Sequence, residues 1–214
     1  MTDEVASRYK GRTVLVVGAH PDDIEIGIGG TVARLKRAGA RVVMGLVCIP
    51  NRYEIRWEEA QNSAGILGGE LRLLFNHGCS RVEDYKTYQL VAKLDELQRE
   101  LKPAALFSHG PSELHKDHTL VYNACLSSQR LQSMDFFCYY PSTCRPGSFC
   151  FHPQAFVDIS TTLDDKMKAV HAHPSQFTDR GLNPDFLVDV AREQGRLAGV
   201  PFAEGFEVVR MILT

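Results

Sequence analysis

No apolar run in this chain approaches the ~18 residues of a membrane-spanning helix, so no membrane span is expected. The first twelve residues, MTDEVASRYKGR, hold no apolar core of the kind a secretory signal carries. Residues 1–12 are therefore expected to be a loose leading segment, and the protein is expected to be cytoplasmic. There is no basic stripe either. Lys and Arg number 24 against 26 Asp and Glu, for a net charge of −2, which argues against a nucleic-acid partner. The six cysteines form no C-x-x-C pair, so a four-thiolate zinc site is not indicated. Cys48, Cys125 and Cys138 sit in apolar runs and are expected to act as small core residues; the alternative is a regulatory pairing among Cys138, Cys144 and Cys150. Internal repeats and low-complexity segments are absent.

What is present is ordinary in amount and particular in order. With 214 residues, 44% hydrophobic and 23% charged, the chain suits one globular domain over 1–214. Apolar, β-branched runs at 13–17, 41–49, 70–75 and 104–107 predict strands. Between them, helical spacing predicts helices over 27–38, 53–67 and 88–101, the second with Ile55, Ala60, Ala64 and Leu67 turned inward. Further helices are predicted from about His118 to Arg130, over 162–171 and over 186–198, and further strands at 136–140, 156–159 and 207–213. Such β-α alternation implies right-handed crossovers and an α/β fold, a mainly parallel sheet with helices on both faces.

The stretch Gly18–Thr31, GAHPDDIEIGIGGT, follows the first predicted strand. His20, Asp22, Asp23 and Glu25 are thus expected in the turn between a strand's carboxyl end and a helix's amino end, where ligands bind in open α/β sheets. Gathering four ionisable groups there is costly unless a cation is held among them. A second cluster, His109 and then His115-Lys116-Asp117-His118, follows the fourth predicted strand on the same sheet edge. His109 is within reach of the site along the chain, but Gly110-Pro111 after it favours reading it as the start of a loop. His20, Asp23 and His118 form a nitrogen–oxygen ligand set that suits a catalytic zinc with one open position. Asp22 and His115 are then left free, one as a base for water and one as a donor to a developing oxyanion. Fe2+, Co2+ and Ni2+ fit the same donors. The glycines at 27, 29 and 30 follow G-x-G-G, not the dinucleotide fingerprint G-x-G-x-x-G, and are expected to let a ligand or strand approach closely.

Ala19-His20-Pro21-Asp22-Asp23, continued by Glu25, Gly27, Gly29, Gly30 and Thr31, together with His115-x-x-His118, resembles the PIG-L/LmbE-like family of zinc-dependent N-acetylglucosaminyl deacetylases. Supporting marks are Arg56 with Glu59 and Ala60, the stretch Lys166, Ala169, His173, Ser175 and Gln176, and Ala203-Glu204-Gly205-Phe206. The resemblance implies a Rossmann-like three-layer fold with the site at the carboxyl ends of the strands. It implies Zn2+ on His20, Asp23 and His118, Asp22 as general base, and His115 as oxyanion stabiliser. It also implies Asp117 as the carboxylate orienting a histidine, and Arg56 as a contact to sugar hydroxyls or a phosphate. The expected partner is a small-molecule amino-sugar conjugate, and the expected assembly a homo-oligomer. Departures are His77-Gly78 where members commonly carry Asp-Gly, and no placeable catalytic tyrosine, Tyr139 and Tyr140 included. The other readings are an amidase acting on another acyl amide or thiol conjugate, a non-catalytic sugar- or nucleotide-binding protein, and an iron-dependent oxygenase.

Overall fold

The structure is a computed structural model, described here for residues 7–111, 113–139 and 151–213. Cys144, Cys150 and Tyr140 lie outside the described residues, so the thiol pairing expected as an alternative falls there too. Seven strands form one sheet: β1 (Thr13–Gly18), β2 (Arg41–Leu46), β3 (Glu70–Leu73), β4 (Ala105–Ser108), β5 (Asp135–Tyr139), β6 (Ala155–Asp158) and β7 (Ala203–Arg210), in the order β3-β2-β1-β4-β5-β7-β6. β1 to β5 pair in parallel, whereas β7 runs antiparallel to both β5 and β6. The last strand begins at Ala203 rather than Glu207, because Ala203–Phe206 pair with β6 before the strand passes on along β5.

The helices are α1 (Asp23–Arg37), α2 (Tyr53–Leu67), α3 (Thr87–Leu101), α4 (Lys116–Ser128), α5 (Leu163–His171) and α6 (Phe186–Ala198). Alternation along β1 divides the core. Val14 and Val16 join Ile24, Ile28 and Val32 of α1, Ala60 and Ala64 of α2, and Ala169 of α5. Leu15 and Val17 face Leu90 and Leu94 of α3 and Val121 and Cys125 of α4. Cys48, Cys125 and Cys138 are buried in this apolar material, as their sequence context suggested.

Three further features depart from the sequence reading. α1 starts at Asp23, so Asp23 and Glu25 occupy its first turn, where a carboxylate meets free N–H groups and the helix dipole, and only His20 and Asp22 stay in the turn before it. On α2, Ile55 is 46% exposed and the buried positions are Arg56, Glu59, Ser63 and their alanine and leucine neighbours. Residues 7–12 are not loose: Tyr9 is buried and donates its hydroxyl to Asp135 at 2.7 Å, while Arg8 bonds the same carboxylate at 2.8 Å.

The glycines of α1 answer to packing. A Cβ on Gly27 would fall 2.3 Å from the ring of Tyr139, and one on Gly30 would fall 2.9 Å from Ile159. Small residues thus let β5 and the end of β6 seat against α1; no ligand need approach them.

Candidate active site

The strand order reverses direction of growth between β1 and β4, which is where a doubly wound sheet opens a crevice. The loop after β1 carries His20, Pro21 and Asp22 into it. Asp23 follows at the head of α1. The segment after β4 carries His109 and Glu113 to the same place, and α4 begins there, with His115 as its N-cap and His118 in its first turn.

His20, Asp23 and His118 converge: one ligand atom from each lies within 4.8 Å of the others, and all three residues are buried. The far nitrogen of each imidazole is already engaged. His20 Nε2 lies 2.9 Å from Asp117 Oδ2, and His118 Nδ1 lies 3.2 Å from Glu113 Oε1. His118 Nε2 is left 3.3 Å from Asp23 Oδ1, and His20 Nδ1 lies 3.8 Å from Asp23 Oδ2. Two nitrogens and a carboxylate oxygen turned toward one another, with their outer sides tied down, form a donor set that fits a divalent ion such as zinc. Burial pushes the Asp23 carboxyl up, but His118 and His109 outweigh it and hold the group well below the usual carboxylate range. It is therefore ionised, as a ligand must be.

Asp22 stands beside this set in an uncommon backbone state, φ 94°, which costs a non-glycine residue about 1–3 kcal/mol. Its side chain makes no cap bond to α1. Instead it borders a cavity of about 810 Å³ and lies 3.5 Å from Arg56 Nη2. Burial, and next the adjacent Asp23 charge, push its carboxyl up to about 7, against the opposing pull of Arg56. That places it where a group can take and return a proton near neutrality.

His115 also borders the cavity. Its Nδ1 accepts the Asp117 backbone N–H at 3.2 Å, so the neutral ring carries its proton on Nε2. Burial, followed by the neighbouring His118 and His20, lowers its pKa and favours that neutral donor form. Asp117 Oδ2 meets His20 Nε2, and the His20 hydrogen bond holds its carboxyl low against the effect of burial. Arg56 is buried, with Nη2 donating to Pro21 O at 2.9 Å. The first commitment of its guanidinium is thus to the turn that carries Asp22, although it too lines the cavity.

Two residues missed as site members belong here. His109 is fully buried, its Nε2 lying 3.3 Å from Asp23 Oδ2, and so does more than begin a loop. Glu113 bonds both His109 and His118. Its only signal in the sequence is a carboxylate two residues before H-x-x-H. Tyr139, by contrast, has its hydroxyl committed to Val17 O at 2.9 Å.

Behind the site lies a polar layer between α1, α2 and the end of α5. Ser63 bonds Glu25, His173 Nε2 lies 3.6 Å from Glu25 Oε1, and Ser175 N donates to Glu59 at 2.8 Å. Lys166 bonds Ile26 O and Glu204, while Glu204 accepts the N–H groups of Gly30 and Thr31. Among the described residues no helix is long and apolar enough to cross a membrane.

The chain is similar to known proteins in sequence and in fold. The profile of the PIG-L family, described as GlcNAc-PI de-N-acetylase, matches residues 15–128. The chain is 26% identical over 235 residues to the diacetylchitobiose deacetylase of Thermococcus kodakarensis, an alignment covering 92% of this chain and 83% of that protein. The crystal structure of the conserved protein TT1542 from Thermus thermophilus superposes with a TM-score of 0.78 at 28% identity, covering 95% of this chain and 97% of that one. The fold is shared more widely: the 4-carboxy-2-hydroxymuconate hydratase GalB from Pseudomonas putida KT2440 superposes with a TM-score of 0.77 at 20% identity, over 95% and 98% of the two chains. The profile match spans more than half of the 214 residues and contains both histidine motifs, and the chain belongs to the PIG-L (LmbE-like) deacetylase family.

Proposed function

We propose that this protein is a zinc-dependent N-deacetylase acting on a small molecule that contains N-acetylglucosamine, with acetate and a free amine as products. The observation that carries the reading is the division of labour around Asp23. His20 and His118 each turn one nitrogen toward it, while Asp22 and His115 stand at the cavity outside that set. A site built only to hold a structural ion needs neither of the last two. The same fold in a hydratase means that the reaction is argued from these side chains and not from the architecture.

When bound by His20, Asp23 and His118, zinc supplies a Lewis acid for the amide carbonyl and acidifies a water molecule. Asp22 takes the proton of the attacking water. The Nε2–H of His115 donates to the carbonyl oxygen as it gains charge, and Asp22 returns its proton to the departing nitrogen, which leaves as the free amine. Asp117 keeps the His20 ring in one orientation through these steps. Arg56 holds the Asp22 turn through Pro21 O, and its remaining donor capacity faces the sugar or its substituent.

The test is amine release by the zinc-loaded protein from N-acetylglucosamine as free sugar, phosphate ester, nucleotide conjugate and glycoside, with Asp22→Asn as the blank. Release from at least one member, absent in the blank while zinc remains bound, is expected. Silence across the panel at one zinc per chain would overturn the N-acetylglucosamine assignment and favour another acyl amide.

A further inference from the structure

Glu113 and His109 make a closed arrangement with two of the proposed ligands. Glu113 Oε1 lies 3.2 Å from His118 Nδ1 and 3.3 Å from His109 Nδ1. On their other sides, His118 Nε2 and His109 Nε2 lie 3.3 Å from the two oxygens of Asp23. The two imidazoles stack at 3.9 Å, inclined by 16°. None of the four residues is more than 5% exposed.

Proton positions in this arrangement follow from one backbone contact. The Ala19 N–H donates to His109 Nε2 at 3.1 Å, so the neutral His109 ring carries its proton on Nδ1 and gives it to Glu113. The same carboxylate oxygen receives Nδ1–H of His118. A carboxylate buried this deeply is costly unless hydrogen-bonded, and two imidazole donors offset that cost. The consequence lies on the far side of His118: with Nδ1 protonated, Nε2 keeps its lone pair and presents it beside Asp23.

We propose that Glu113 is a positioning residue for the metal centre. It selects the tautomer and ring angle of His118, and His109 braces Glu113 rather than binding the ion. This rests on the reading of His20, Asp23 and His118 as metal ligands. In this arrangement Glu113 acts through His118, and the donor cluster that His109, Glu113 and His118 also form serves to orient that ring. A histidine ligand held this way is a stronger donor, and loss of such a partner typically lowers metal affinity about 10- to 100-fold.

The probe is Co2+, added to the metal-stripped full chain in competition with a chelator and followed by its visible absorption. Wild type is expected to bind one ion. Glu113→Leu, which removes both acceptor bonds, is expected to bind Co2+ about 10- to 100-fold more weakly with an altered band shape. Glu113→Gln keeps an acceptor oxygen without the charge and is expected to regain most of the affinity. If wild type takes up one ion and a folded Glu113→Leu matches it in affinity and spectrum, the positioning role is overturned while the ligand assignment stands. If wild type takes up none, the ligand assignment falls and this role with it. Should the leucine variant fail to fold, nitrogen-15 spectra of the zinc-loaded wild type decide. Nδ1–H on both His109 and His118 is expected, and Nε2–H on either ring overturns the proposal.

Discussion

Gly27→Ala sets helix propensity against packing, and the two predict opposite signs. By propensity alone, alanine in a helix interior is favoured over glycine by about 1 kcal/mol. In this fold the new Cβ lies 2.3 Å from Tyr139 Cδ2, 2.9 Å from Cε2 and 3.0 Å from Cγ, whereas carbon atoms rest at roughly 3.5–4.0 Å. The ring must withdraw by about an ångström. It is 1% exposed, its hydroxyl bonds Val17 O at 2.9 Å, and His109 lies against it at 5.0 Å between centroids. Overpacking of this kind costs about 1–3 kcal/mol, and a stretched buried hydrogen bond adds about 1–3 more. After the propensity gain, a net loss of about 1–5 kcal/mol is expected. At about 2–4 °C per kcal/mol for a chain of this size, thermal melts resolve it. The same change moves α1 away from β5 and carries Asp23, one turn earlier, with it, so weaker metal binding should accompany the lower melting temperature. A cycle with Tyr139→Phe isolates the hydroxyl's share through non-additivity. A Gly27→Ala protein as stable as wild type, or more so, would refute the argument that close approach of β5 selects glycine here.

Three further outcomes are expected. His115→Ala should retain its metal and lose about 100- to 1,000-fold in turnover, the usual effect of deleting one oxyanion donor; an unimpaired rate in the deacetylation assay would remove the assignment. Lys166→Met takes the cation from the buried Glu204 carboxylate, leaving it only the Gly30 and Thr31 N–H donors, and should cost about 3 kcal/mol in urea unfolding, with Glu204→Gln recovering part of it in the double variant; a loss below about 1 kcal/mol would show that the pair is not a buried ion pair. Asp135→Asn should lower stability at neutral pH by about 1–3 kcal/mol. Burial pushes the Asp135 carboxyl up, but the bonds from Arg8 and Tyr9 win and hold it below its ordinary value. Its contribution is thus present above that ordinary value and is lost as pH falls through the depressed one. The gap between variant and wild type should close on acidification, and a gap independent of pH would contradict it.

That two polar clusters meet at one edge of the sheet was legible in the sequence alone. His20, Asp22 and Asp23 follow a run that can only be a buried strand, and His115 and His118 follow another; in a parallel sheet with right-handed crossovers both clusters must emerge on one edge. Alternation and helical spacing are local signals, which is why most elements and the apolar core could be predicted from them. Tertiary structure alone decided how the polar side chains are divided. On α2 the sequence favours Ile55 as inward, yet Arg56, Glu59 and Ser63 are buried, because Pro21 O, Ser175 N and Glu25 wait there on distant segments. Tyr9 sits in what reads as a loose leader until Asp135, over a hundred residues away, offers its carboxylate. Glu113 and His109 lie in an ordinary loop until Asp23 and His118 close around them. Burial of an apolar residue follows from its own transfer energy and so is written in local pattern, whereas burial of a polar residue is stable only with a partner, and the partner is known once the chain has folded.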